Sequence, residues 1–83
     1  MKLFVAGFPP KFAKEQLSAL FEPYGNVIYV KIVFDHDTGR SKGFGFVEME
    51  SEADGNKAIR DLNNTVLNGF KYPLHVEKAV PKS

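Results

Sequence analysis

Hydrophobic and polar positions along the chain follow two periods. Alternation marks four stretches as strands, residues 2–8, 27–34, 42–49 and 74–77. Helical spacing marks two further segments. Leu17, Leu20 and Phe21 fall at i, i+3 and i+4 within residues 14–22, and Ala58, Ile59 and Leu62 share one face of a helix opened by Ser51. Pro9-Pro10 stops the first strand, and Pro23 and Gly25 end the first helix. Asn63-Asn64 ends the second helix, both residues tolerating the left-handed conformation. The run Asp35-His36-Asp37-Thr38-Gly39-Arg40-Ser41 is turn-rich and joins the second and third strands as a hairpin. The helix starts differ. Ser51 is a good cap, with Asp54 three residues on in near capping-box spacing. Ala13 offers no acceptor at the first helix, where a missing cap costs about 1 kcal/mol, so fraying is expected. Gly55 costs its helix about 0.5–1 kcal/mol, which a close approach of helix to sheet would explain.

The third strand inverts the usual arrangement. Lys42, Phe44, Phe46 and Glu48 point one way, while Gly43, Gly45, Val47 and Met49 point the other. With Val47 and Met49 in the core, Phe44 and Phe46 stand on an open surface, and such an apolar patch marks a binding site. Base faces suit these rings, each stack contributing about 1–3 kcal/mol, and Arg40 and Lys42 are positioned to neutralise phosphates. Taken alone, the strand leaves open a second arrangement, in which a helix or another sheet covers both rings. The other strands have clearer faces. Leu3 and Val5 oppose Phe4; Val30 and Ile32 face inward, with Tyr29, Lys31 and Val33 outward; Leu74 and Val76 face inward, with His75 and Glu77 outward.

The element order, strand-helix-strand-strand-helix-strand, is the split βαβ, an α+β class of fold. It predicts a ferredoxin-like βαββαβ sandwich: a four-stranded antiparallel sheet with both helices on one face. Right-handed crossovers put the helices on the same side and leave the other side bare. The first and third strands are then the central pair, so Phe4 joins Phe44 and Phe46 in the middle of an uncovered sheet.

Residues 42–49, Lys-Gly-Phe-Gly-Phe-Val-Glu-Met, are similar to the RNP1 signature of the RNA recognition motif family. Every defined position matches except the last, where inward-facing Met49 replaces an aromatic. Residues 3–8 resemble the family's RNP2 pattern, aliphatic-aromatic-aliphatic-x-Asn-Leu, with Gly7 and Phe8 departing from its end. The resemblance runs from Leu3 to Ala79. Ala13 stands where the family usually has Thr or Ser, and Gly55 where it has a small alanine. Val66 to Gly69 resembles the family's short extra hairpin, Phe70-Lys71-Tyr72 lengthens the connection after it, and Lys78-Ala79 matches the strand exit. The resemblance implies a single-stranded RNA-binding module. Phe4 and Phe44 would stack bases, and Phe46 would contact sugars or insert between nucleotides. Arg40 and Lys42 would take phosphate, with Lys31 at the edge. His75, Glu77 and the backbone around Lys78-Ala79 would read base edges. Glu48 and Glu77 place negative charge on the same face, which limits affinity.

The chain has 83 residues, 43% of them hydrophobic, enough for one domain with a modest core over about residues 2–79. It has no cysteine, which excludes disulfides and thiolate metal sites and fits an intracellular setting, cytoplasmic or nuclear. His36 and His75 lack metal-ligand spacing, so neither metal nor cofactor is expected. No apolar run is long enough to span a membrane, no signal peptide opens the chain, and it reaches Ser83 without linker or repeat. The net charge of +1 and pI of 8.0 lie below the range of strongly basic domains, about 9 and above. Stacking on single strands needs less charge than gripping duplex phosphates. The expected partner is therefore single-stranded RNA, with single-stranded DNA left open, no membrane, and a monomeric domain. A protein-interaction module of the same fold is the alternative. Family members that bind proteins through the sheet often lose the motif aromatics, and all three remain here. Acylphosphatase-like enzymes share the architecture, but no nucleophile, base or anion loop is assembled, and Gly43 and Gly45 lie inside a strand rather than a phosphate loop, so no enzyme is expected.

Overall fold

The structure, a computed structural model, describes residues 1–67 and 70–79. Its elements are β1 (Lys2–Ala6), α1 (Lys14–Phe21), a 3₁₀ turn (Glu22–Tyr24), β2 (Val27–Phe34), β3 (Ser41–Met49), α2 (Glu52–Leu62) and β4 (His75–Lys78). The strands form one antiparallel sheet in the order β2-β3-β1-β4, which makes β1 and β3 the central pair. Leu3 and Val5 of β1, Val47 and Met49 of β3, Ile32 of β2 and Val76 of β4 are buried against Leu17 and Phe21 of α1 and Ala58 of α2. The two helices therefore cover one face, and the fold is the ferredoxin-like sandwich that the element order predicts. Among the described residues no helix is long and apolar enough to cross a membrane.

β1 stops at Ala6, three residues before Pro9. Gly7 takes φ +86°, and a Cβ there would lie 2.5 Å from the Pro73 carbonyl oxygen, so only glycine fits the turn. Strict alternation would carry Phe8 to the face of Phe4. Instead the turn sends Phe8 inward, where it is 1% exposed and stacks on Phe12 with centroids 5.8 Å apart. Gly45 serves a different purpose. A Cβ there would meet the Lys31 carbonyl oxygen and lie 3.0 Å from Ile32 Cα, so glycine allows β2 and β3 to close.

The helix ends refine the expectations. Ala13 has no side-chain acceptor, but its own N–H donates to Gln16 Oε1 at 2.8 Å, which supplies half of a capping box. Ser51 Oγ accepts from the Asp54 N–H at 3.4 Å. Gly55 is buried, and the group that approaches it is the Met1 side chain rather than sheet backbone. Of the two asparagines after α2, only Asn64 is left-handed, at φ +68°. Asn63 instead ties the helix to β4, its Oδ1 accepting from the Val76 N–H at 3.0 Å. Of the expected short hairpin, Val66 pairs with Pro73, while Asn68 and Gly69 lie outside the described residues.

Candidate nucleic-acid interface

Side chains of paired residues in adjacent strands share a face, so the register draws the open surface directly. Tyr29, Glu48 and Lys2 form one row. Lys31, Phe46, Phe4 and Glu77 form the next, and Phe44, Ala6 and His75 the third. Phe4 stands at the centre. Its ring lies 5.8 Å from Phe44 at 37°, 5.7 Å from Phe46 at 63°, and 6.2 Å from His75 at 66°. These are ordinary spacings for attractive aromatic pairs. The three phenylalanines are half-buried, sheltered by one another, and among the described residues no element lies over them.

Charge surrounds the rings. Lys2 Nζ sits 5.0 Å from the Phe46 centroid, within cation–π range. His75 Nε2 is 3.3 Å from Glu77 Oε1, both side chains being more than half exposed. A shallow depression of about 300 Å³ opens beside them, lined by Phe4, Phe46, Glu77, Lys78 and Ala79. Its size and its mixture of rings, carboxylate and strand backbone suit part of a nucleotide rather than a buried small molecule. Among the described residues no group of three or more His, Asp or Glu side chains is arranged to hold a metal.

The β2–β3 hairpin is built by Asp35. Its Oδ1 accepts from the N–H groups of Asp37 at 2.8 Å and Thr38 at 3.1 Å. The Asp35 N–H donates to the Arg40 carbonyl at 2.8 Å. The Thr38 and Asp37 amides hold the Asp35 carboxyl below its ordinary pKa, with a smaller contribution from the Lys42 charge. Gly43, at φ +78°, interrupts the alternation of β3. The ladder is irregular at the same place, jumping from the Ile32–Gly45 pair to Phe34–Ser41.

The structure thus brings Phe4, Phe44, Phe46, Lys31, His75 and Glu77 together on one surface. Arg40 and Lys42 are exposed beyond the Gly43 irregularity, so alternation alone does not set their direction relative to the rings. Lys78 stands apart. It pairs with core-facing Leu3, and its Nζ lies 3.5 Å from Glu52 of α2, so its side chain belongs to the helix side. Lys78 nonetheless lines the depression together with Glu77 and Ala79. Two residues of the face have no binding role in the sequence reading, Lys2 and Tyr29, although alternation already turns Tyr29 outward with Lys31. Their signal was parity, Lys2 lying two residues before Phe4 and Tyr29 two before Lys31.

Comparison with known proteins agrees with this geometry. The RNA recognition motif model matches residues 3–72. The chain is 42% identical over 81 residues to the chloroplastic RNA-binding protein CP29B of Arabidopsis thaliana, which covers 98% of this chain and 27% of that protein. It spans a fifth or less, 19%, of the similar maize protein, the chloroplastic organelle RRM domain-containing protein 1, to which it is 38% identical. Among solved structures, that of RNA Binding Protein PG1 superposes with a TM-score of 0.90 at 36% identity, covering 100% of this chain and 98% of that one. With the two motifs on adjacent central strands, their rings on the uncovered face, and the family model matching most of its length, this chain belongs to the RNA recognition motif family.

Proposed function

We propose that this domain is a binding module, not an enzyme, and that it takes single-stranded RNA on the open sheet face. The observation that carries this reading is the cluster of Phe4, Phe44 and Phe46 at the centre of a sheet with helices on its other side only. Apolar rings left there have no folding role that a covered position would not serve better, whereas unstacked bases supply flat partners for them. Phe4 and Phe44 stack bases, and Phe46 contacts sugar or inserts between nucleotides. Lys31, Arg40 and Lys42 take phosphates, and Lys2 adds a cation above Phe46. Glu77, which lines the depression, offers an acceptor to base edges, and His75, 3.3 Å from it, offers its ring nitrogens. A solved complex of the Sxl-lethal protein with RNA, 33% identical and superposing with a TM-score of 0.89, supports an RNA ligand for this fold; the match covers 94% of this chain and 47% of that one.

A protein ligand is the second reading. Its support is a groove of about 400 Å³ between α1 and the edge strand β2, beside Ile28, which is 53% exposed. That groove lies at the sheet margin and leaves the rings unexplained. Titration of the domain with a single strand and with the same strand annealed to its complement tests the stacking reading. Paired bases cannot present their faces, and A-form RNA shows side chains only a deep, narrow major groove and a shallow minor one. The single strand is expected to bind and the duplex poorly. Equal affinity for both would overturn it.

A further inference from the structure

The open face carries two carboxylates, and they differ. Glu77 has a local partner, His75 Nε2 lying 3.3 Å from its Oε1. Glu48 has none. It pairs in register with Tyr29 of β2 on one side and Lys2 of β1 on the other, so the three side chains form one row. The Lys2 ammonium is directed elsewhere, 5.0 Å from the Phe46 centroid. Among the described residues no cation comes within ion-pairing distance of Glu48, and no hydrogen bond ends on its carboxylate.

The fold has no need of this residue. Glutamate is a poor strand former, and Glu48 lies outside the core. On a surface that receives a polyanion, its charge repels phosphate. That repulsion acts against every nucleotide alike, unless some bases return hydrogen bonds to the carboxylate. The neighbours of Glu48 place it at base edges. Tyr29, 51% exposed, stands directly across the ladder, at a Cβ separation of about 5 Å. Phe46 lies two residues along β3, about 7 Å away. A base stacked on either ring has an edge within reach of the Glu48 carboxylate.

An ionised carboxylate only accepts hydrogen bonds, and the bases differ in what they offer it. Guanine presents two adjacent donors, N1–H and N2–H, matched to the two carboxylate oxygens. Adenine and cytosine present one amine beside a ring-nitrogen acceptor. Uracil presents one N–H between two carbonyls. Each of these three sets a lone pair against the carboxylate. In a single strand these Watson–Crick edges are free to be read. We infer that Glu48 determines base specificity, selecting guanine for the nucleotide at Tyr29 and Phe46 by accepting its N1–H and N2–H. This rests on the RNA-binding reading above and adds a base preference to it. The charge that favours guanine also disfavours the bases that cannot satisfy it.

Single-base replacement separates base choice from binding itself. Octauridine, and octauridine with one position replaced by guanine, inosine or adenine and walked along the strand, are titrated at one salt concentration into the wild type, Glu48→Gln and Phe44→Ala. At its best position guanine is expected to tighten wild-type binding by about fivefold to over a hundredfold relative to octauridine. Inosine keeps N1–H but lacks the N2 amine, and it should forfeit most of that gain, as should adenine. Glu48→Gln should bring the guanine-to-uridine ratio close to one, and its urea melt should match the wild type, because the side chain is outside the core. The inosine comparison uses the wild-type protein and so does not depend on how a variant folds. If no guanine position improves on octauridine, if inosine or adenine matches guanine, or if the guanine gain persists in Glu48→Gln, the role of Glu48 is refuted. Weaker binding of Phe44→Ala in those cases leaves the sheet reading standing. Failure of the wild type to bind any of these strands or a random-sequence octamer pool refutes both.

Discussion

Phe44→Ala removes a ring that is half-buried only because other side chains of the same face lean on it, with Phe4 5.8 Å away. No core cavity follows its loss. The lost aromatic pair contributes about 0.5–1.5 kcal/mol. The poorer strand propensity of alanine adds up to about 1 kcal/mol. A destabilisation of about 1–2 kcal/mol is expected, more than for an isolated surface residue. The lost base stack should cost about 1–3 kcal/mol of affinity, about fivefold to over a hundredfold in Kd. Phe21→Ala is the opposite case. Phe21 is 0% exposed in the core, and its truncation should cost about 3–5 kcal/mol of stability, against a total of about 5–15 kcal/mol for a typical domain. Phe44→Leu separates the remaining terms, since it keeps apolar bulk but presents no π-face. It should fold nearly as well as the wild type and still lose the stack. Urea melts and RNA titrations at one fixed salt concentration check all three variants. The reasoning fails if Phe44→Ala destabilises as much as Phe21→Ala, or if Phe44→Leu binds as tightly as the wild type.

Binding should weaken only mildly with salt, because few cations border the rings and Lys78 is engaged by Glu52. Two or three phosphates at about 0.7 each give a slope of roughly −1.4 to −2.1 in log K against log salt, and a slope several times steeper would place the ligand elsewhere. Gly45→Ala should destabilise by about 1–3 kcal/mol or more, because its Cβ meets the Lys31 carbonyl and backbone cannot move aside. Gly55→Ala should cost less or even stabilise, since the group met is the flexible end of Met1 and alanine favours helix by about 0.5–1 kcal/mol; urea midpoints decide both. Acid should loosen the β2–β3 hairpin. The folded-state pKa of Asp35 is depressed by the Thr38 and Asp37 amides, so its stabilising effect is complete above the unfolded value and is lost as pH falls through the folded one. A lower protection factor at the Thr38 amide under acid, absent in Asp35→Asn, would show it, and an unchanged factor through that range would count against it.

Much of the site was legible because both motifs lie on strands, where a period of two assigns faces without knowledge of the partner. Phe4, Phe44 and Phe46 follow from that rule, and so do Lys31, His75 and Glu77. The rule also turns Tyr29 outward and applies to Lys2, but neither carries an expected binding role, because neither is a motif position with an assigned one. It stops at Gly7 and Gly43, where positive φ breaks the strand conformation. Phe8 is the clearest consequence, an aromatic that alternation would send outward and a glycine turn sends into the core. Lys78 shows another limit. Its parity is that of core-facing Val76, and an inward lysine at the sheet edge finds its counter-charge on α2, a partner twenty-six residues earlier in the chain.

The amino-acid sequence by itself determined the element order, the two helical faces and the four strand faces, because periodicity and breakers act over a few residues. It also determined that one sheet face stays bare, since two right-handed crossovers put both helices on the other. Only the tertiary structure decided which side chains meet. The spacing of Phe4 from Phe44 and Phe46, the Lys2 ammonium over the Phe46 ring, and the pairing of Val66 with Pro73 depend on register and backbone closure between distant segments. Those are fixed by contacts such as Gly45 against Lys31 and Gly7 against Pro73, in which the absence of a side chain is what lets two backbones approach. A local pattern marks such a glycine, but the backbone it must accommodate is specified elsewhere in the chain.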